Sequence, residues 1–508
     1  MTPMLGAQTL LINPPLINGI AFTRQGRCQE REDVLGTTKP PYTLALLATL
    51  LGKAGCAVKL IDATAQHLST EQVIAALDAE GFSPTLILFP TTTPTLQADV
   101  AEMAKLKKRY GAPLFCFGPH ASTAPAESMA RAAAVDGMFV GEPEDGAVQL
   151  ASLPSTDQLG NIPSLTWRRD GSVVPHRQHG SFSGLLQLPQ PAWDLLDLKG
   201  YTLPLVDRPY VIVETSRGCP YTCDFCVAPI HQGHKFRERS AVALVDEIER
   251  SYRELGVEFF YLWGDTVTLN VKSFTAFCDE LIARKLPIQW FGNARADNLT
   301  DPAFVHRLKR AGCWMLALGI ETESDDVRKD MVKRLERQKI ETAFRNMRNA
   351  GIRSFAFFIF GYPGESAKTM QQTIDYAMKL DPDFANFYPA VPYPGTALHE
   401  KCVRERLLGP AADDWSKMEY SYYLLEGNGL NEKVVMEAIN RAKRRFFLRP
   451  SYIARHARDI ARLALTKREI VWQVLVRTVF GGRVANAAHG GRDASTALGA
   501  AKPVAGSR

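Results

Sequence analysis

Cysteine is scarce in this chain, with nine among 508 residues. Nine is odd, and Cys28, Cys56, Cys116, Cys278, Cys313 and Cys402 stand singly among apolar or helical-looking segments. That pattern excludes a disulfide framework and reads as ordinary buried thiols. Long apolar runs are missing too: no stretch approaches the roughly 20 uninterrupted apolar residues of a membrane span. The opening "MTPMLGAQTLLINPP" lacks the basic head and long apolar stretch of a secretory leader, so the cytoplasm is the expected location. Charge of one sign is weak overall, at +6, but unevenly placed: between Arg441 and Phe480 eleven Lys and Arg face only Asp459 and Glu469. No zinc finger or aromatic-rich strand pair accompanies that basic stretch, and nucleic acid is not an expected partner.

What is present is a globular composition, 46% hydrophobic and 22% charged, in a length that predicts roughly two to four domains. Over residues 1–150 short apolar runs ("TLLINPP", "AVKLIDAT", "TLILFPTTTPT", "PLFCFGPHAS", "GMFVGEPE") alternate with amphipathic stretches. Such runs, closed by Gly, Pro, Asn or Thr, predict five parallel strands in a doubly wound, Rossmann-like α/β domain. Residues 151–205, with an Asp-Gly turn in "WRRDGSVV" and the Pro-rich "LQLPQPAW", predict a hairpin and linker. Over 206–400 six further strands, each followed by a helix, predict a (β/α)6 partial barrel of TIM type, with reactive groups at the C-terminal strand ends. One of its helices is expected as a single span, 325–350. Residues 401–480 read as helical and 481–508 as a disordered tail.

"SRGCPYTCDFC" breaks the scarcity, placing Cys219, Cys223 and Cys226 just after the first barrel strand. Thiolates spaced Cys-x3-Cys-x2-Cys can converge on one metal site, and three of them can hold three irons of a [4Fe–4S] cluster, leaving the fourth iron open to a small molecule. Zinc is the structural alternative, because His231 and His234 follow closely. Spacing alone does not choose between them.

The motif, with Phe225 before its last cysteine, resembles that of the radical S-adenosylmethionine (SAM) enzymes. The resemblance implies that Cys219, Cys223 and Cys226 ligate the cluster, that Phe225 neighbours the adenine, and that reductive cleavage of SAM yields a 5′-deoxyadenosyl radical. Later strand ends are similar to the family's as well. "LALGIETES" places Glu321 for the SAM ribose. "FIFGYPGES" places Gly361, Gly364 and Glu365 around the adenine site, and "FGNARAD" points Arg295 at the SAM carboxylate. "LWGDTVT" departs from the usual two acids and leaves Asp265 for the SAM ammonium.

An open parallel sheet binds ligands beyond the carboxyl ends of its strands. The corresponding segments here ("NPP", Asp62, "TTTPT", "GPHAS", "GEPE") resemble the cobalamin-binding-type domain that precedes the barrel in one radical SAM subfamily. The resemblance implies cobalamin near Gly118, His120 and Gly141, although the Asp-x-His-x-x-Gly motif of a histidine-ligated cobalt is absent. The implied activity is cobalamin-dependent methylation of an unactivated carbon, with oxidative cyclisation or rearrangement as the alternative on the same scaffold. A non-catalytic, zinc-stabilised α/β binding protein is the alternative of another class. The expected partners are a small or lipid-like substrate and an electron donor such as flavodoxin or ferredoxin. The basic C-terminal helices could also touch an anionic membrane, or could simply pack on the barrel.

Overall fold

The computed structural model describes residues 4–24, 38–203 and 205–466. Cys28 and the expected tail, 481–508, lie outside the described residues. The first sheet contains β1 (Gln8–Asn13), β2 (Ala57–Asp62), β3 (Leu86–Pro90), β4 (Leu114–Phe117) and β5 (Gly137–Phe139), all parallel. Leu10, Leu11 and Ile12 are buried in succession because helices cover both faces. The sheet has seven strands rather than five. β6 (Leu165–Arg169) and β7 (Ser172–Val174) form the expected hairpin, with Asp170 and Gly171 in left-handed conformation at its turn. Instead of standing in a linker, β6 pairs antiparallel with β5 and extends the sheet.

The second sheet is wholly parallel, in the order β15-β14-β13-β12-β11-β8. Its strands are β8 (Tyr210–Glu214), β11 (Phe259–Trp263), β12 (Gln289–Ala294), β13 (Cys313–Glu321), β14 (Arg353–Phe360) and β15 (Phe384–Pro389). The two-residue strands β9 (Ser216–Arg217) and β10 (Arg237–Glu238) pair separately. The side chains of Ser240, Asn270, Asp301 and Ser366 cap four of the intervening helices, so local sequence marks where each crossover begins. Sequential strands stay neighbours, and the sheet curls without closing, leaving β8 and β15 as its edges.

The helix expected over 325–350 is two helices, Asp325–Asp330 and Arg337–Ala350. Val332 and Arg334 between them have positive φ, a conformation no helix interior accommodates. In the C-terminal region the helix Glu432–Phe447 packs beside β15. Two short helices, Pro450–Arg455 and Ala457–Thr466, pass beneath the strands. There the Tyr452 hydroxyl donates to Asp383 O over 3.0 Å, and Arg353 pairs with Asp459 at 2.8 Å. Arg445 pairs with Asp375, and Arg449 and Arg455 both pair with Asp381. These arginines therefore pack on barrel acids, the plainer of the two expectations for the basic stretch. Among the described residues no helix is long and apolar enough to cross a membrane.

Candidate active site

The cysteine loop leaves and rejoins the barrel through the β9–β10 ladder, which fastens its base. Gly218 turns the chain into the loop at φ +85°, where any Cβ would lie 2.2 Å from Lys235 O. Cys219 N–H then donates to Gly233 O, and Cys226 N–H to Cys223 O, each over 3.1 Å. Asp224 ties the loop to the barrel: its carboxylate accepts from the Tyr362 hydroxyl, and its carbonyl accepts from Leu398 N–H. All three thiols line a cavity of about 1180 Å³ that reaches from the N-terminal sheet into the barrel.

Arg217, two residues before the first motif cysteine, joins the two domains. Its buried guanidinium meets Glu142 at 3.1 Å, Glu144 at 2.7 Å and Glu214 at 2.9 Å. Burial acts to raise the Glu142 carboxyl, but Arg217 and Arg237 outweigh it and hold the group below its usual range. The acids of "GEPE" thus lock the cysteine loop onto the first sheet.

Around the same cavity stand Phe225, Asp265, Arg295 and Glu321. Glu321 adopts φ +66° at a register shift between β13 and β14. For a residue with a side chain this is strained backbone of the kind found at functional sites. Its carboxylate accepts from Lys333 Nζ at 2.7 Å, and Lys333 reaches it only because the helix breaks at 331–336. The sequence reading missed this lysine; the positive-φ break that delivers it has no signature in composition. Arg295 stacks on Tyr221, 3.7 Å from the ring centroid. Its Nε and Nη2 are taken by Asp297 and by Lys333 O and Arg334 O. Arg295 is therefore not wholly available to a carboxylate.

Five other expected residues do not line the cavity themselves. Gly361, at φ +75°, packs against the Tyr423 ring, and Gly364 also turns at positive φ. The buried Glu365 carboxylate accepts from Gly361 N–H at 2.7 Å and Tyr362 N–H at 3.2 Å. Burial pushes its pKa up to about 8. These three residues shape the turn, and Tyr362 is its member at the cavity. His120 is buried, with Nδ1 2.9 Å from Thr93 Oγ1 and Nε2 2.8 Å from Ser128 Oγ. Desolvation lowers its pKa to about 3, so it is a neutral structural residue. Gly141 bridges to Gly180, and its amide donates to Ser122 Oγ over 2.9 Å. Gly118 does line the cavity, and there a Cβ would meet Thr91 O at 2.4 Å.

The zinc set is not assembled. Among the described residues no three His, Cys, Asp or Glu side chains converge on a single-ion site. His231 Nδ1 is 2.8 Å from Ser122 Oγ, and burial lowers its pKa to about 4.

Comparison with known proteins agrees with this geometry. The radical SAM superfamily matches residues 213–377, and the B12 binding domain matches residues 33–151. Residues 213–377 thus carry a radical SAM domain, preceded by a B12-binding domain over residues 33–151. An uncharacterized methyltransferase of Pyrococcus horikoshii is 28% identical over 423 residues, 83% of this chain and 90% of the relative. The anaerobic magnesium-protoporphyrin IX monomethyl ester cyclase of Cereibacter sphaeroides is 26% identical, covering 81% of this chain and 67% of that protein. The fold is that of the radical SAM methyltransferase TsrM from Kitasatospora setae, with a TM-score of 0.64, 20% identity and coverage of 79% of this chain and 78% of that one.

This radical SAM enzyme takes the superfamily's [4Fe–4S] cluster and SAM in its barrel, and its first domain is of the type that binds cobalamin. The residues present fit both groups. Three thiols on one clamped loop face the cavity, and the wall opposite is contributed by Thr23, Lys39, Phe117, Gly118 and Pro119 of the first domain.

Proposed function

We propose that this enzyme methylates an unactivated carbon of a largely apolar small molecule. The observation that carries the proposal is that one cavity takes its walls from both the cysteine loop and the strand ends of the B12-binding domain. Bound there, the cluster would cleave SAM to the radical that removes a hydrogen atom from the substrate, and cobalamin would carry the methyl group.

Cys219, Cys223 and Cys226 would hold three irons. Phe225 would flank the adenine. Glu321, oriented by Lys333, would accept from ribose hydroxyls. Asp265 would accept from the SAM ammonium, and Arg295 would turn its remaining Nη1 toward the SAM carboxylate while Tyr221 and Asp297 fix the rest of the group. Gly118 would let backbone approach the corrin closely. A flavodoxin or ferredoxin would supply the electron that each SAM cleavage consumes.

The likeness to the magnesium-protoporphyrin ester cyclase supports a second reading, oxidative cyclisation on the same scaffold. One experiment separates them: anaerobic reconstitution with iron, sulfide and hydroxocobalamin, followed by reductant and SAM. About four irons, bound cobalt and 5′-deoxyadenosine formation that disappears in Cys223→Ala are the expected result. Iron and deoxyadenosine without cobalt would favour cyclisation. A colourless zinc protein that leaves SAM intact would overturn both.

A further inference from the structure

We propose that the barrel lumen is a tunnel for an elongated, lipid-like substrate. This rests on the radical SAM reading above and names the substrate class for that same site. In a closed TIM barrel, layers of inward-facing side chains fill the interior, so the inward positions should be the more buried ones. Here the order is reversed. Along β14, Ser354, Ala356, Phe358 and Phe360 are buried against the outer layer, whereas the alternate Phe355, Phe357 and Ile359 keep accessible surface and line the cavity. β15 repeats the pattern, with Ala385, Phe387 and Pro389 buried and Phe384, Asn386 and Tyr388 partly open. In β12, Trp290, Gly292 and Ala294 are buried while Phe291 and Asn293 are not.

The aromatic rings lie along the wall instead of meeting across the lumen. Tyr261 stacks on Phe291 at 4.6 Å and 6°, and Phe357 on Tyr388 at 6.1 Å and 19°. Polar groups between them satisfy one another: Asn293 Nδ2 donates to the Tyr261 hydroxyl over 3.0 Å, and Asn386 Nδ2 to the Tyr388 hydroxyl. The cavity is also bordered by Glu214, Glu419, Glu432 and Lys433, but the lining positions Phe291, Asn293, Phe355, Phe357, Ile359, Asn386 and Tyr388 carry no charge. Asp265, Arg295, Glu321 and Lys333 stand at the cysteine end, and Lys443, His456 and Asp459 stand among the C-terminal helices.

A strand of about six residues spans roughly 20 Å. A ligand lying along it meets aromatic and aliphatic surface with no charge to pair, so a charged or strongly polar body would lose its hydration uncompensated. An apolar body gains the transfer energy of its whole length. The fitting substrate has an extended apolar body in the lumen and its reacting carbon at the cysteine end.

The test uses bromine, which quenches tryptophan on contact. Trp263 and Trp314 both line the cavity, near opposite ends of the barrel. Titrating the anaerobically reconstituted protein with 9,10-dibromostearate should quench its fluorescence saturably, while 2,3-dibromobutyrate at equal concentration should not. The Trp263→Phe/Trp314→Phe double variant should lose the quenched component. Ala317→Phe, which adds a ring to the lumen wall, should weaken the response about tenfold or more. Equal quenching by both acids, or quenching untouched by Ala317→Phe, would overturn the tunnel. Deoxyadenosine formation by the unsubstituted protein reports separately on the radical SAM reading, so the two can fail independently.

Discussion

At the carboxyl ends of β1, β2 and β3 the B12-binding domain backs its part of the cavity wall with buried, mutually paired polar side chains. Arg24 donates through Nη1 to Pro14 O at 3.1 Å and Thr64 Oγ1 at 2.9 Å, through Nη2 to Pro15 O at 2.9 Å, and through Nε to Asp99 Oδ1 at 2.9 Å. Asp62 accepts from Asn13 Nδ2 and from the Tyr201 hydroxyl, each over 2.8 Å. In the barrel, the inward face of β14 and β15 stays open along the strands and only the outer face packs tightly. Both regions are parallel strand-and-helix alternations, so topology offers each the same crevice. Side chains arriving from elsewhere decide how each crevice is lined.

Arg24→Met should sharpen this contrast most. It leaves Asp99 buried and unpaired, and should cost about 3–5 kcal/mol in denaturant unfolding. Arg24→Met/Asp99→Leu should recover most of that, whereas an undiminished loss in the double variant would mean the arginine does more than pair with Asp99. Next come two neighbours on one strand. Phe358→Ala should cost about 3–5 kcal/mol, as expected for a fully packed ring, and Phe357→Ala only about 1 kcal/mol, because its ring already borders empty space. Equal losses would break the comparison.

Glu321→Gly/Lys333→Met, which relieves the left-handed residue without leaving the lysine's buried charge unpaired, should raise stability by about 1 kcal/mol, while SAM binding in equilibrium dialysis weakens. Parallel loss of both would show that the strain is not stored for function. A pH-dependent effect is expected at Glu365. Its folded pKa is raised to about 8 by burial, above the value near 4.3 of an unfolded chain. The folded state therefore keeps a proton that the unfolded state loses. This contribution to stability is fully present below the unfolded pKa and is lost as pH rises through 8. Glu365→Gln should flatten the fall of the thermal midpoint between about pH 4 and 8, with little change near pH 4.

Much of the architecture was legible in the sequence because its signals are local. Apolar runs closed by Gly, Pro or Thr marked eleven parallel strands. Asp170-Gly171 marked a hairpin turn, and the cysteine spacing marked the loop that the structure places at the cavity. Glu321 and Asp265 were recognisable because motif residues at strand ends travel with their strands. His120, Gly141, Gly361, Gly364 and Glu365 sit in the same turns, yet their roles depend on which way a turn faces. One residue of rotation exchanges cavity for core.

By itself the sequence determined the strand-and-helix order, the clustering of three thiols and the uneven charge, all of which follow from periodicity and spacing along the chain. The tertiary structure alone decided that Arg24 reaches Asp99, 75 residues away. It alone decided that Lys333 meets Glu321 through a broken helix, and that Arg217 gathers carboxylates from both domains. A buried charge is stable only beside a partner, and that partner is chosen by how distant segments pack.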